Sequence, residues 1–130
     1  MNMDSKETRF GFPRFFKSFG YAAQGIRSVW KTEQNFRIHS FVGAAVFMTA
    51  FLLSVSVLEW AILIILVFMV LALETMNTAI EKAVDLTSEE YHPLAKAAKD
   101  LASAAVLLFA VCTALVGAII FLPKLLDLLH

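Results

Sequence analysis

Apolar residues run unbroken through long stretches of this chain, and the polar ones gather at the ends of those stretches. Residues 41–58 and 101–122 carry no charge, and residues 60–80 carry only Glu74. Each run approaches the roughly 20 residues that take a helix across about 30 Å of hydrocarbon. A soluble bundle keeps a polar face at helical spacing, and the fourteen residues from Trp60 to Leu73 have none. The pattern predicts an all-α integral-membrane fold with three transmembrane helices, at about 41–58, 60–82 and 101–122. The short connection near Val57–Trp60 makes the first two spans an antiparallel hairpin, with Trp60 as an interface anchor. Ahead of the spans the period changes. Pro13 suits a first helical position. Phe15, Phe19, Ala22, Ala23, Ile26, Val29 and Trp30 then fill one face, and Arg14, Lys17, Gln24, Arg27 and Lys31 the other. This predicts an amphipathic helix over about 13–35, lying in the headgroup plane.

Composition agrees with one small membrane domain. The 130 residues are 59% hydrophobic, above the roughly 45–50% of soluble domains. Eleven basic and eleven acidic residues cancel, so no basic field points to nucleic acid. Their placement is more informative. Lys6, Arg9, Arg14, Lys17, Arg27, Lys31 and Arg37 precede the first span, and Lys82, Lys96 and Lys99 follow the second. Lys124 alone falls on the other side. The bias predicts a multi-pass cell-membrane protein with its amino terminus and the 82–100 loop cytoplasmic and its carboxyl terminus outside. Cys112 excludes an internal disulfide, and His39, His92 and His130 form no metal-spacing motif. The first apolar run starts too late, and is too long, for a cleaved signal peptide.

Candidate chemistry lies at the inner end of the second span. Glu74, Asn77, Glu81 and Asp85 are three, four and four residues apart, within an arc of roughly 80° on one helix face. They form a polar stripe about 16 Å long. A carboxylate at the centre of a membrane helix costs on the order of 2.5–3.5 kcal/mol and marks a functional site by default. Glu74 and Glu81 are two turns, about 10 Å, apart, so their roles differ. Glu74 lies where only a lipid's reactive group reaches it, and Glu81 where a water-soluble substrate with Mg²⁺ arrives. That suits transfer of a phosphoryl group to a lipid hydroxyl. The deep carboxylate would take the proton and the shallow one would hold the metal on the phosphates. Asn77 lies between them. Glu33 could add a second oxygen ligand. Lys99 and Asp100 open the third span at the same depth, a lysine there being a point charge for phosphate. Taken singly, each is also an ordinary solvated residue at a span end. Gly20 and Gly25 have Walker A spacing, but Ile26-Arg27 replaces Lys-Ser/Thr, so that motif fails.

These residues closely resemble the small bacterial membrane lipid kinases of the prokaryotic diacylglycerol kinase and undecaprenol kinase family. The matching segments are Phe16-Lys17 through Gly25 and Arg27, then Glu33 with Phe36-Arg37. They continue with Glu74 through Glu81 with Asp85, Tyr91-His92, Ala95 through Asp100, and Ser103 through Val106. The resemblance implies a homotrimer of three-span subunits with composite sites at subunit boundaries, using ATP with Mg²⁺. By matching position, Glu74 is the catalytic base, and Glu33 and Glu81 are metal ligands on ATP. Lys99, Asp100, Arg14, Tyr21, Tyr91 and His92 are nucleotide contacts. Asn77 and Ser103 lie near the lipid hydroxyl. Phe36-Arg37-Ile38-His39 and His92-Pro93-Leu94-Ala95-Lys96 resemble the Gram-positive undecaprenol-kinase branch.

Two alternatives stay open: diacylglycerol as the acceptor, and a small transporter that buries a glutamate. Transporters bury such charges near the midplane, whereas Glu74 is about 9 Å from the end of its run at Ile80. A non-catalytic assembly factor is a weaker third reading, since an aligned polar stripe is costly without use. A reporter fused after Leu129 should read out as external, and one inserted near Ser88 as cytosolic. The reverse labelling would place the acids on the wrong side for ATP.

Overall fold

The computed structural model describes residues 11–87 and 89–130. Lys6 and Arg9 of the basic cluster, and Ser88, lie outside them. Four helices follow in order: α1 Phe12–Thr32, α2 Gln34–Leu52, α3 Val57–Thr87 and α4 Pro93–Leu128. The fold is all-α, and α2, α3 and α4 are long and apolar enough to cross a membrane. At 31 and 36 residues, α3 and α4 are about 46 and 54 Å long, well beyond the hydrocarbon thickness. α3 is the central element. It packs most extensively on α4, then on α2, and touches the end of α1.

The amphipathic helix ends three residues before the expected 35. Glu33 is extended (φ −107°, ψ 111°) and separates α1 from α2. The last carbonyls of a helix need donors, and Arg37 supplies them: its Nη1 donates to Trp30 O at 2.6 Å and to Lys31 O at 3.1 Å. The Trp30 ring closes the corner against Phe36 and Phe41, with centroids 6.3 and 6.0 Å away. Val29 is buried at this corner, while residues 12–27 of α1 are exposed, including Phe12, Phe15, Phe16, Phe19 and Ile26.

The α2–α3 turn also falls earlier than the boundary at 58–60. α2 ends at Leu52 and α3 begins at Val57. Ser54 takes a left-handed conformation (φ 51°). Ser56 and Glu59 form reciprocal bonds, Ser56 N–H to Glu59 Oε2 at 2.8 Å and Glu59 N–H to Ser56 Oγ at 3.2 Å. This is a capping box, which starts a helix. Beside it Ala50, Val55, Leu63 and Ile120 form a buried cluster. Trp60 packs onto that cluster, its ring 6.0 Å from Phe47. Lys124 Nζ reaches Glu59 Oε2 at 3.3 Å and ties α4 to the same end.

α4 starts eight residues before the expected 101 because His92 caps it. His92 Nδ1 accepts from Leu94 N–H at 3.1 Å, with Pro93 in the first turn.

α2 and α3 approach closely at Gly43. A Cβ there would stand 2.6 Å from Val67 Cγ1, and valine has little rotamer freedom to yield. Gly43→Ala should therefore lower stability by about 1–3 kcal/mol through overpacking. Adding Val67→Ala should recover part of the loss, as read by thermal unfolding in detergent. An unchanged midpoint for Gly43→Ala would mean that the helices do not meet here.

Candidate active site

α3 carries a row of polar side chains from its apolar run to its carboxyl-terminal end. Glu74 and Thr78 are its buried polar residues, Glu74 being only 4% exposed. The Glu74 carboxylate meets His39 of α2, Nε2 to Oε1 at 3.2 Å. Thr78 Oγ1 donates to the Glu74 carbonyl at 3.0 Å. One turn from Glu74, Asn77 Nδ2 donates to Glu81 Oε1 at 3.4 Å. Asn77 Oδ1 is buried and accepts no hydrogen bond. An unsatisfied buried acceptor is uncommon, and Asn77 is also among the residues lining a cavity.

That cavity, of about 260 Å³, is lined by Asn35, His39, Glu74, Asn77, Ser103, Val106, Leu107 and Ala110. It brings Glu74, Asn77 and Ser103 together with apolar wall from α4. A second cavity, of about 360 Å³, lies between the carboxyl-terminal end of α3 and the amino-terminal end of α4. Asp85, Tyr91, His92, Lys96, Lys99 and Asp100 are among its lining. Here Lys99 pairs with Asp85 across the two helices, and Lys96 pairs with Asp100 along α4. Four of the proposed nucleotide contacts therefore share one basin. Glu81 lines neither cavity and lies on α3 between them, four residues from both Asn77 and Asp85.

Glu33 stands at the α1–α2 corner, where Thr32 Oγ1 donates to its Oε1 at 3.0 Å. Both Glu33 and Glu81 lie close enough to act electrostatically on Glu74. Among the described residues no three His, Cys, Asp or Glu side chains converge as a closed metal cage. Two hard oxygen donors fit Mg²⁺, which is commonly held by one or two carboxylates and substrate phosphates. Arg14 and Tyr21 line neither cavity; both sit on the exposed part of α1.

Residues 20–121 match the prokaryotic diacylglycerol kinase family. The chain belongs to that family. Undecaprenol kinase of Bacillus subtilis is 49% identical over 123 residues, covering 95% of this chain and 100% of that protein. Diacylglycerol kinase of Synechocystis is 45% identical over 118 residues, 90% of this chain and 67% of that one. Diacylglycerol kinase of Escherichia coli K12 is 39% identical over 98 residues, 75% of this chain and 80% of its own length. The chain is a lipid kinase of several membrane passes.

Sequence reasoning missed two contributors. The sequence marks His39 by its lack of metal spacing and its place in a branch-like segment, and Arg37 by that segment and the basic bias, with no partner for either. Both act across helix boundaries, which periodicity within one helix does not reveal. Arg37→Ala should raise amide exchange over residues 28–33 roughly tenfold, equivalent to about 1.4 kcal/mol. Unchanged protection would show that the α1 carbonyls need no side-chain donor.

Proposed function

We propose that this lipid kinase transfers the γ-phosphoryl group of ATP to the hydroxyl of undecaprenol, giving undecaprenyl phosphate. The observation that carries the reading is the pair of cavities along α3: one around Glu74 at membrane depth, the other around Lys99 at its aqueous end. About 16 Å of helix separates Glu74 from Asp85, a span that suits a donor with a triphosphate tail.

Glu74 accepts the proton of the lipid hydroxyl as that oxygen bonds to phosphorus and the bond to the ADP oxygen breaks. Asn77 and Ser103 position the hydroxyl beside it. Lys99, Asp100, Tyr91 and His92 hold the nucleotide. Glu33 and Glu81 hold Mg²⁺, whose charge, when bound, neutralises the phosphates. Arg14 and Tyr21 stand outside both cavities of their own chain, which favours a homotrimer in which α1 completes a neighbouring copy's site. The basic bias favours the cell membrane, with the site on the cytosolic face.

One observation favours the polyprenol over diacylglycerol: the 49% identical relative covered over its whole length is named undecaprenol kinase.

Purified protein with labelled ATP and Mg²⁺ in mixed micelles tests the reading. Catalytic efficiency should be higher with undecaprenol than with diacylglycerol at matched mole fraction. Glu74→Gln should lose turnover while keeping nucleotide affinity, and Glu81→Gln should also weaken Mg-ATP binding. A preference for diacylglycerol would remove the undecaprenol assignment and leave the kinase mechanism standing.

A further inference from the structure

The seam between α2 and α3 contains one pairing that its apolar packing does not explain. From α2 it takes Phe36, His39, Gly43, Val46 and Ala50, three or four residues apart, and from α3 Leu63, Val67, Val70, Glu74 and Thr78. His39 is the single titratable member of the α2 row, and Glu74 of the α3 row. They meet each other, at 3.2 Å. The match is set by the close approach of Gly43 to Val67 one turn further along α2.

The polar neighbours of Glu74 on its own helix direct their donors elsewhere. Thr78 Oγ1 is spent on the Glu74 backbone carbonyl and Asn77 Nδ2 on Glu81. Among the described residues, His39 is the side chain whose polar contact is with the carboxylate itself. Its Nε2 stands 3.2 Å from Oε1, within reach to hold that oxygen. Both residues line the same cavity as Asn77 and Ser103, and the His39 side chain is 27% exposed against 5% for Glu74. A group that only filled the seam would be packed as tightly as its neighbours.

We propose that His39 is a positioning residue for phosphoryl transfer, holding the Glu74 carboxylate so that its second oxygen faces the lipid hydroxyl. The proposal rests on Glu74 acting as the base. A carboxylate free to rotate about its last torsion would spend much of its time misaimed, and displacement of a reacting group by about 1 Å can cost on the order of a hundredfold in rate. His39 would thus act on turnover rather than on binding, and any side chain offering a donor at the same reach would serve.

The test is steady-state kinetics on the full-length protein in micelles, with undecaprenol and Mg-ATP as substrates. His39→Ala should lower kcat between tenfold and a hundredfold, with both KM values within about twofold. His39→Gln, which keeps a donor of similar reach, should recover most of that loss. In the Glu74→Gln background, His39→Ala should lower the residual rate less than twofold further, because the two residues act as one unit. Thermal midpoints of the variants separate misfolding from misaiming: His39→Gln that folds like the parent but is as slow as His39→Ala overturns the proposal. A rise in lipid KM at unchanged kcat overturns it as well. Glu74→Gln inactive with His39→Ala at full rate removes the positioning role alone, whereas Glu74→Gln near full rate removes the base assignment on which it rests.

Discussion

Burial of the Glu74 carboxylate in an apolar helix seam is the constraint on which the rest of this structure depends. A charge in such a setting is unfavourable by a few kcal/mol, so the helices around it must be held by contacts made elsewhere. The end of the bundle at the α2–α3 turn does this. Ala50, Val55, Leu63 and Ile120 form a buried cluster there, and the Ser56–Glu59 capping box fixes the start of α3. The opposite half is then free to be polar and open, with two cavities and an orphaned amide oxygen at Asn77. Tight apolar packing and polar cavities are thus segregated along a single helix, α3.

Most of the fold was legible because lipid as a solvent leaves few options. Three long apolar runs, two of them without charge, and a basic bias define three spans whatever the detailed packing. The polar stripe on α3 was legible for the same reason, since Glu74 has no place in an apolar run without a use. Helix ends were harder. The break at Glu33 has no glycine or proline to mark it, and it depends on Arg37 reaching back to α1 carbonyls. The turn before α3 did have a local signal, Ser56-x-x-Glu59, which the apolar pattern around it masked. The His92-Pro93 start of α4 had one too.

The site was partly legible. Glu74, Asn77 and Ser103 do share a cavity, as do Lys99, Asp100, Tyr91 and His92. The partnership of His39 with Glu74 required two helices to be set side by side, and no spacing rule within α2 contains it. Asn35, one turn before His39, entered the cavity lining for the same reason. His92 also shows how one residue can serve two ends: its ring caps α4 and lines the basin at the same time.

The antiparallel pair α3 and α4 is riveted at both ends by ion pairs, Glu59 with Lys124 and Asp85 with Lys99. Twenty-six residues separate the two rivets on α3 and twenty-five on α4, or about 39 and 38 Å of rise. The two rods are therefore cut to nearly the same length, and their register is a single value that both ends must satisfy. Adding or deleting one residue between the rivets on either helix would shift one end by about 1.5 Å and rotate it by about 100°. The bundle thus behaves as a calliper whose jaws are set at one end and read at the other.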